Sequence, residues 1–85
     1  IDIFTLIRTL ESFASAVDVK ESTLSHRIFK DTTKIGAMRE GSDITVRRFN
    51  HAFQYMSDRW PDEVPRPIAI IEWESTSPDL MVRQK

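Results

Sequence analysis

Two apolar stripes at helical spacing constrain the fold of this chain most strongly. In residues 2–17 the apolar side chains recur every three or four positions, with no Gly or Pro between them, which predicts an amphipathic helix. A second stripe predicts a helix over residues 45–59 and stops at Pro61, because proline lacks the backbone N–H that a helix needs. Both stripes favour a protein built from packed helices.

Shorter signals predict two more helices between these stripes. One covers residues 21–29, and another covers residues 33–40 and ends at Gly41, since glycine readily adopts the positive φ of a helix C-terminus. The capping position of the helix over residues 21–29 is either Lys20 or Ser22, and the sequence leaves both open. The fold class that follows is all-α, with a small four-helix domain.

The chain changes character after residue 60. Three prolines between residues 61 and 67 predict an extended linker. The run Ile-Ala-Ile-Ile-Glu-Trp at residues 68–73 is prone to β structure, so we expect an extended tail with at most one short strand. The polar end from Ser75 onward predicts disorder. We therefore divide the chain into a helical domain, residues 1–60, and a Pro-rich linker and tail, residues 61–85.

Composition excludes several classes of function. The 85 residues include no Cys and only two His, so a disulfide framework, a thiolate zinc site and a cysteine nucleophile are excluded and no metal or cofactor is expected. Ser25 and His26 are adjacent and point about 100° apart on a helix, so they cannot form a nucleophile–base pair. No apolar run approaches the roughly 20 residues that span a bilayer. We expect a cytoplasmic protein that is not an enzyme.

The charges are unevenly distributed along the chain. The net charge is -1, yet residues 20–48 carry seven Lys and Arg against four Asp and Glu, while residues 1–19 and 49–85 are both acidic. A basic segment of this kind can bind an anion locally while the whole molecule stays near neutral. An unevenly charged, solvated surface is the alternative interpretation.

The segment from Phe13 to Ile28 predicts two short helices around a tight turn. Ala14 is small enough to let the helices approach closely, Val19 fills the turn, and Leu24 returns to the same core. Such a pair leaves one face of the second helix pointing outward, where it can enter a DNA major groove.

These residues resemble the helix-turn-helix of the lambda-repressor-like family of phage and bacterial transcriptional regulators. The matching positions are Ala14, Asp18, Val19 and the run from Thr23 to Ser25, and the resemblance covers about residues 10–60. Asp18 stands where the family usually has Gly, at a position that needs positive φ, which Asp tolerates at a cost of about 1 kcal/mol. Leu10 stands where the family often has Gln.

The resemblance implies a sequence-specific domain that binds double-stranded DNA with its second helix, about residues 21–29, in the major groove. The residues implied to contact base edges are Glu21, Ser22, Ser25 and His26. The alternative is that Ser22 caps the helix while Glu21 and His26 are simply solvated. Because a domain this small has a modest footprint on DNA, a homodimer on two half-sites or fusion to another domain is also expected.

Basic residues near this helix are predicted to contact phosphates. Arg47 and Arg48 begin the last predicted helix, where cations are unfavourable unless an anion binds nearby. The alternative is that Asp43 and Glu40 neutralise them. The full predicted set of phosphate contacts is Lys20, Arg27, Lys30, Lys34, Arg47 and Arg48.

A second interpretation is a protein-interaction or antitoxin-like module. The tail would bind a protein partner or a second subunit through large apolar side chains. The residues predicted for that contact are Ile68, Ile70, Ile71 and Trp73. The alternative is that Trp73 folds back on Trp60 and covers the core.

Overall fold

The computed structural model describes residues 2–76, and these residues form an all-helical protein without a β-strand. The five helices are α1 (Ile3–Ala16), α2 (Glu21–Phe29), α3 (Lys34–Arg39), α4 (Val46–Arg59) and α5 (Ile68–Thr76). The all-α prediction is confirmed, and the first four helices lie within one residue of their predicted bounds. None of the helices in the described range is long and apolar enough to cross a membrane.

Side-chain caps fix where α1 and α4 begin. Asp2 precedes α1 and accepts a hydrogen bond from the Thr5 amide at 2.8 Å, which lowers the pKa of the Asp2 carboxyl. Thr45 precedes α4 and its hydroxyl accepts from the Arg48 amide at 3.2 Å. Lys20 occupies the capping position of α2 without a side-chain hydrogen bond, so Ser22 lies inside the helix rather than at its cap.

Residues with positive φ end three of the helices. Asp18 has φ of 56° just beyond α1, as predicted for the turn, and Gly41 has φ of 113° beyond α3. Lys30 ends α2 with φ of 61°, and its amide donates to the His26 carbonyl at 2.8 Å. The Val19 amide donates to the Ala14 carbonyl at 3.0 Å, which closes the turn between α1 and α2.

All five helices contribute to one hydrophobic core, so the core continues beyond residue 60 into α5. Val19, in the turn, is half-buried against this core as predicted. The core side chains with the least exposure include Leu6, Leu10, Phe13, Leu24, Ile28, Ile35, Met38, Phe53, Met56 and Ile70.

The predicted extended tail is wrong for residues 68–76, which form α5. Trp73 is buried, its ring stacks on Phe53 with the centroids 5.9 Å apart, and its indole N–H donates to Asn50 Oδ1 at 3.1 Å. These contacts stabilise a helix in a run whose local propensity favours a strand. Trp73 therefore covers the core, as in the alternative to the partner-binding tail. It does so by packing on Phe53 rather than on Trp60, which packs on Phe13.

This packing also corrects part of the predicted partner surface. Ile70 and Trp73 are buried by their own chain, so their predicted role in binding a partner is wrong. Ile68 and Ile71 remain exposed. The prediction of disorder from Ser75 onward is wrong for Ser75 and Thr76, which belong to α5. The other residues of that prediction, 77–85, lie outside the described part of the chain.

Candidate nucleic-acid interface

The helix α2 has one buried side and one exposed side. Leu24, Ser25, Ile28 and Phe29 face the core. The exposed side carries hydrogen-bonding and basic side chains in place of apolar ones. Its exposed members are Ser22, Thr23, His26 and Arg27.

Ser25 does not belong to the exposed side, so its predicted contact with a base is wrong. It is fully buried, its hydroxyl donates to the Asp31 carbonyl, and the same oxygen accepts from the Ile35 amide at 3.2 Å. The hydroxyl thereby ties α2 to the loop before α3. The sequence contained the signal for this, because Ser25 follows Leu24 directly and precedes Phe29 by four positions, which puts it within the apolar stripe.

Ser22 and His26 are both exposed, one helical turn apart on the same side of α2. A hydroxyl and an imidazole in this position can donate to, or accept from, base edges. Thr23 is exposed beside Ser22 and was missed as a candidate. The sequence held a signal for it, because Thr23 lies outside the apolar stripe of this helix and is therefore expected to be exposed.

Glu21 is engaged by the protein itself. Its carboxylate forms an ion pair with Arg39 on α3, in which Arg39 Nη1 donates to Glu21 Oε2 at 3.1 Å and Nη2 donates to Oε1. The hydrogen bonds from Arg39 lower the pKa of the Glu21 carboxyl. The predicted base contact by Glu21 therefore competes with an internal partner.

Five of the six cations predicted to contact phosphate are exposed. None of them forms an ion pair with another residue in the range 2–76, so Asp43 and Glu40 do not neutralise Arg47 or Arg48 in this way. The members of this group are Lys20, Arg27, Lys30, Arg47 and Arg48.

Lys34 behaves differently from the other predicted phosphate contacts. It is half-buried, and its Nζ donates to the Asp43 carbonyl at 2.8 Å. That bond joins the start of α3 to the turn before α4. Lys34 is thus partly occupied in holding the two elements together.

Electrostatic interactions link the start of α4 to the loop after α2. The pKa of the Asp31 carboxyl is lowered first by hydrogen bonds from the Thr33 side chain and amide, and further by the positive charges of Lys34 and Arg48. Since α2 also packs against α4, the basic N-terminus of α4 lies beside the C-terminal end of α2.

The N-terminus of α4 combines two sources of positive potential. The free amides of the first turn and the helix dipole favour an anion there. Arg47 and Arg48 add two full charges in the same turn. This arrangement suits a phosphate.

The described residues hold no group of three or more His, Cys, Asp or Glu that could bind a metal ion. Comparison with known protein families, curated proteins and solved structures finds no match for this chain.

Proposed function

We propose that this protein is a sequence-specific double-stranded DNA-binding domain of a phage or bacterial transcriptional regulator. In this proposal α1 and α2 form a helix-turn-helix of the lambda-repressor type, and α2 reads the major groove. One observation carries the proposal: the exposed polar side of α2 is flanked by exposed cations that have no ion-pair partner among residues 2–76. These cations are Lys20, Arg27, Lys30, Arg47 and Arg48.

The dimensions of α2 are consistent with a reader helix. Its nine residues give a length of about 13 Å. The diameter of an α-helix with its side chains, about 10–12 Å, fits a major groove about 12 Å wide. Ser22, Thr23 and His26 would meet base edges, and Arg47 and Arg48 would hold the phosphate backbone. Phosphate contacts position a protein on the duplex, whereas base contacts set its sequence preference.

A single helix of this length contacts few base pairs. We therefore propose a homodimer whose reader helices occupy half-sites about 34 Å apart. The proposed function also implies a cytoplasmic location, since phage and bacterial DNA is found in the cytoplasm.

The test is selection of bound sequences from a random duplex library. We expect the wild-type protein to enrich one sequence, and Ser22→Ala/His26→Ala to bind DNA but enrich a different one. Ser75→Ala on α5 is the control, since α5 does not contact α2, and it should enrich the wild-type sequence. A wild-type protein that retains no duplex at low salt would contradict the proposal.

A second candidate function, a protein-interaction or antitoxin-like module, is favoured by the surface of α5. Ile68 is 72% exposed and Ile71 is 49% exposed, and they lie three residues apart on one side of the helix. An apolar pair of this kind can contact a second subunit. We expect Ile68→Ser/Ile71→Ser to convert a dimer into a folded monomer, as measured by light scattering. A double variant with the wild-type mass would count against this candidate.

A further inference from the structure

Arg39 is the one described side chain that forms ion pairs with two other helices. From the end of α3, its Nη2 approaches Glu11 Oε2 on α1 at 2.7 Å, and its guanidinium also holds both carboxylate oxygens of Glu21 on α2. Bonds to the two carboxylates raise the pKa of Arg39 above its already high ordinary value. The guanidinium thus stays charged and engaged with both acids.

The location of Glu21 gives this ion pair a consequence for DNA binding. Glu21 lies in the first turn of α2, directly before Ser22 on the exposed side of the helix. A carboxylate at the reading end of that helix repels phosphates when it has no counter-charge. A two-point pair with a guanidinium fixes the direction of the carboxylate and offsets part of its charge, since Arg39 is shared with Glu11.

We infer that Arg39 is a positioning residue for DNA recognition. It offsets the charge of Glu21 and holds this carboxylate out of the groove, so that the polyanion can approach α2. Glu21 is then the partner of Arg39 and does not read a base. This inference rests on the proposed function, because it concerns the same surface. It assigns a DNA-binding role to a residue on α3, outside the reader helix.

The experiment compares four proteins: the wild type, Arg39→Gln, Glu21→Gln and the Arg39→Gln/Glu21→Gln double variant. The control is Arg59→Gln, which removes the same charge at the last residue of α4, an exposed position that forms no ion pair within residues 2–76. Affinity is measured by fluorescence anisotropy on the duplex that selection enriches and on a scrambled duplex, over a range of salt concentrations. Thermal denaturation of each protein shows which variants are folded.

Arg39→Gln is expected to weaken binding to both duplexes by about three- to tenfold at low salt, and the loss should shrink as salt screens the carboxylate. The double variant should recover to within about twofold of the wild type, because it removes the exposed charge. A purely structural role for Arg39 would instead leave the affinity of every folded variant equal to that of the wild type. Arg59→Gln should leave affinity nearly unchanged.

Glu21→Gln alone is expected to bind at least as tightly as the wild type and to retain the preference for the enriched duplex. The glutamine amide fills the same space as the carboxylate. The Glu21→Gln variant therefore tests the role of Glu21 even if Arg39→Gln unfolds at a lower temperature.

Three results would overturn the inference while the proposed function stands: wild-type affinity in folded Arg39→Gln, no recovery in the double variant, or a lost sequence preference in Glu21→Gln. A wild-type protein that binds neither duplex would instead contradict the proposed function, and the inference with it.

Discussion

The arginines near the two ends of α4 have different surroundings. Beyond its C-terminal end, Arg66 donates to Glu74 Oε2 at 2.6 Å and to the Ser57 carbonyl at 3.0 Å, and Arg59 lies 4.1 Å from the centre of the Tyr55 ring. At the N-terminal end, Arg47 and Arg48 are exposed and have no ion pair with any residue between 2 and 76. The side chains of the first group contact other residues of the chain directly, whereas Arg48 in the second group acts on Asp31 through its charge alone.

The difference separates charges that hold the fold together from charges that do not. Arg66 bridges α4 and α5 and joins an internal hydrogen-bond network. Arg47 and Arg48 oppose the dipole of their own helix, and Arg48 also attracts the Asp31 carboxylate through its charge. Arg47 forms no ion pair with any residue between 2 and 76, so its charge remains available to an anion outside the chain. We propose that the anion is DNA phosphate.

The largest expected effect concerns the region that α5 covers. Trp73→Ala should lower the free energy of unfolding by about 3–5 kcal/mol, because it empties a buried site and breaks the bond to Asn50. Urea denaturation measures this loss. Ile71→Ala on the exposed side of the same helix is the control, with an expected loss below about 1 kcal/mol. Equal midpoints for Trp73→Ala and the wild type would show that α5 contributes nothing to the core.

A smaller loss of stability is expected when the hydrogen bonds between α2 and the loop beside Arg48 are removed. Ser25→Ala should cost about 1–3 kcal/mol, since the Ile35 amide and the Asp31 carbonyl lose their partner. Ser22→Ala, on the exposed side of α2, should change stability by less than about 0.5 kcal/mol. The same urea titration distinguishes them. If both variants have the stability of the wild type, hydrogen bonds do not hold this loop in place.

The smallest effects should have opposite signs in the two groups of arginines. Arg66→Gln should destabilise the protein by about 1 kcal/mol through loss of its bonds to Glu74 and Ser57. Arg47→Gln should stabilise it by about 0.3–1 kcal/mol, because the helix dipole then faces one cation fewer. Thermal denaturation at low salt measures both changes. A lower melting temperature in Arg47→Gln than in the wild type would remove the contrast between the two groups.

The sequence predicted the first four helices because their apolar stripes and caps act locally. Thr45 and Asp18 show this well, since a hydroxyl cap and a positive φ depend on a few neighbouring residues. The helix α5 was missed because its short run of isoleucines favours a strand, and the contact between Trp73 and Phe53, 20 residues apart, stabilises the helix instead. Local propensity carries no information on such a contact.

The sequence predicted some residues of the candidate site correctly and others wrongly. The exposed cations follow from charge alone, since Lys and Arg are rarely buried. Ser25 was assigned to the wrong side because a family resemblance was given more weight than its position in the apolar stripe. The pairing of Glu21 with Arg39 spans 18 residues, and only the packing of α2 against α3 brings the two side chains together.

The most direct test of the central claim, that the unpaired cations beside α2 bind phosphate, is the salt dependence of duplex binding. For wild-type protein, the logarithm of affinity should fall linearly with the logarithm of salt concentration, at about 0.9 per phosphate contacted. Arg47→Gln/Arg48→Gln should reduce that slope by about 1.8 and weaken binding to all sequences, while Arg59→Gln should leave it unchanged. An unaltered slope and affinity in folded Arg47→Gln/Arg48→Gln would contradict the claim.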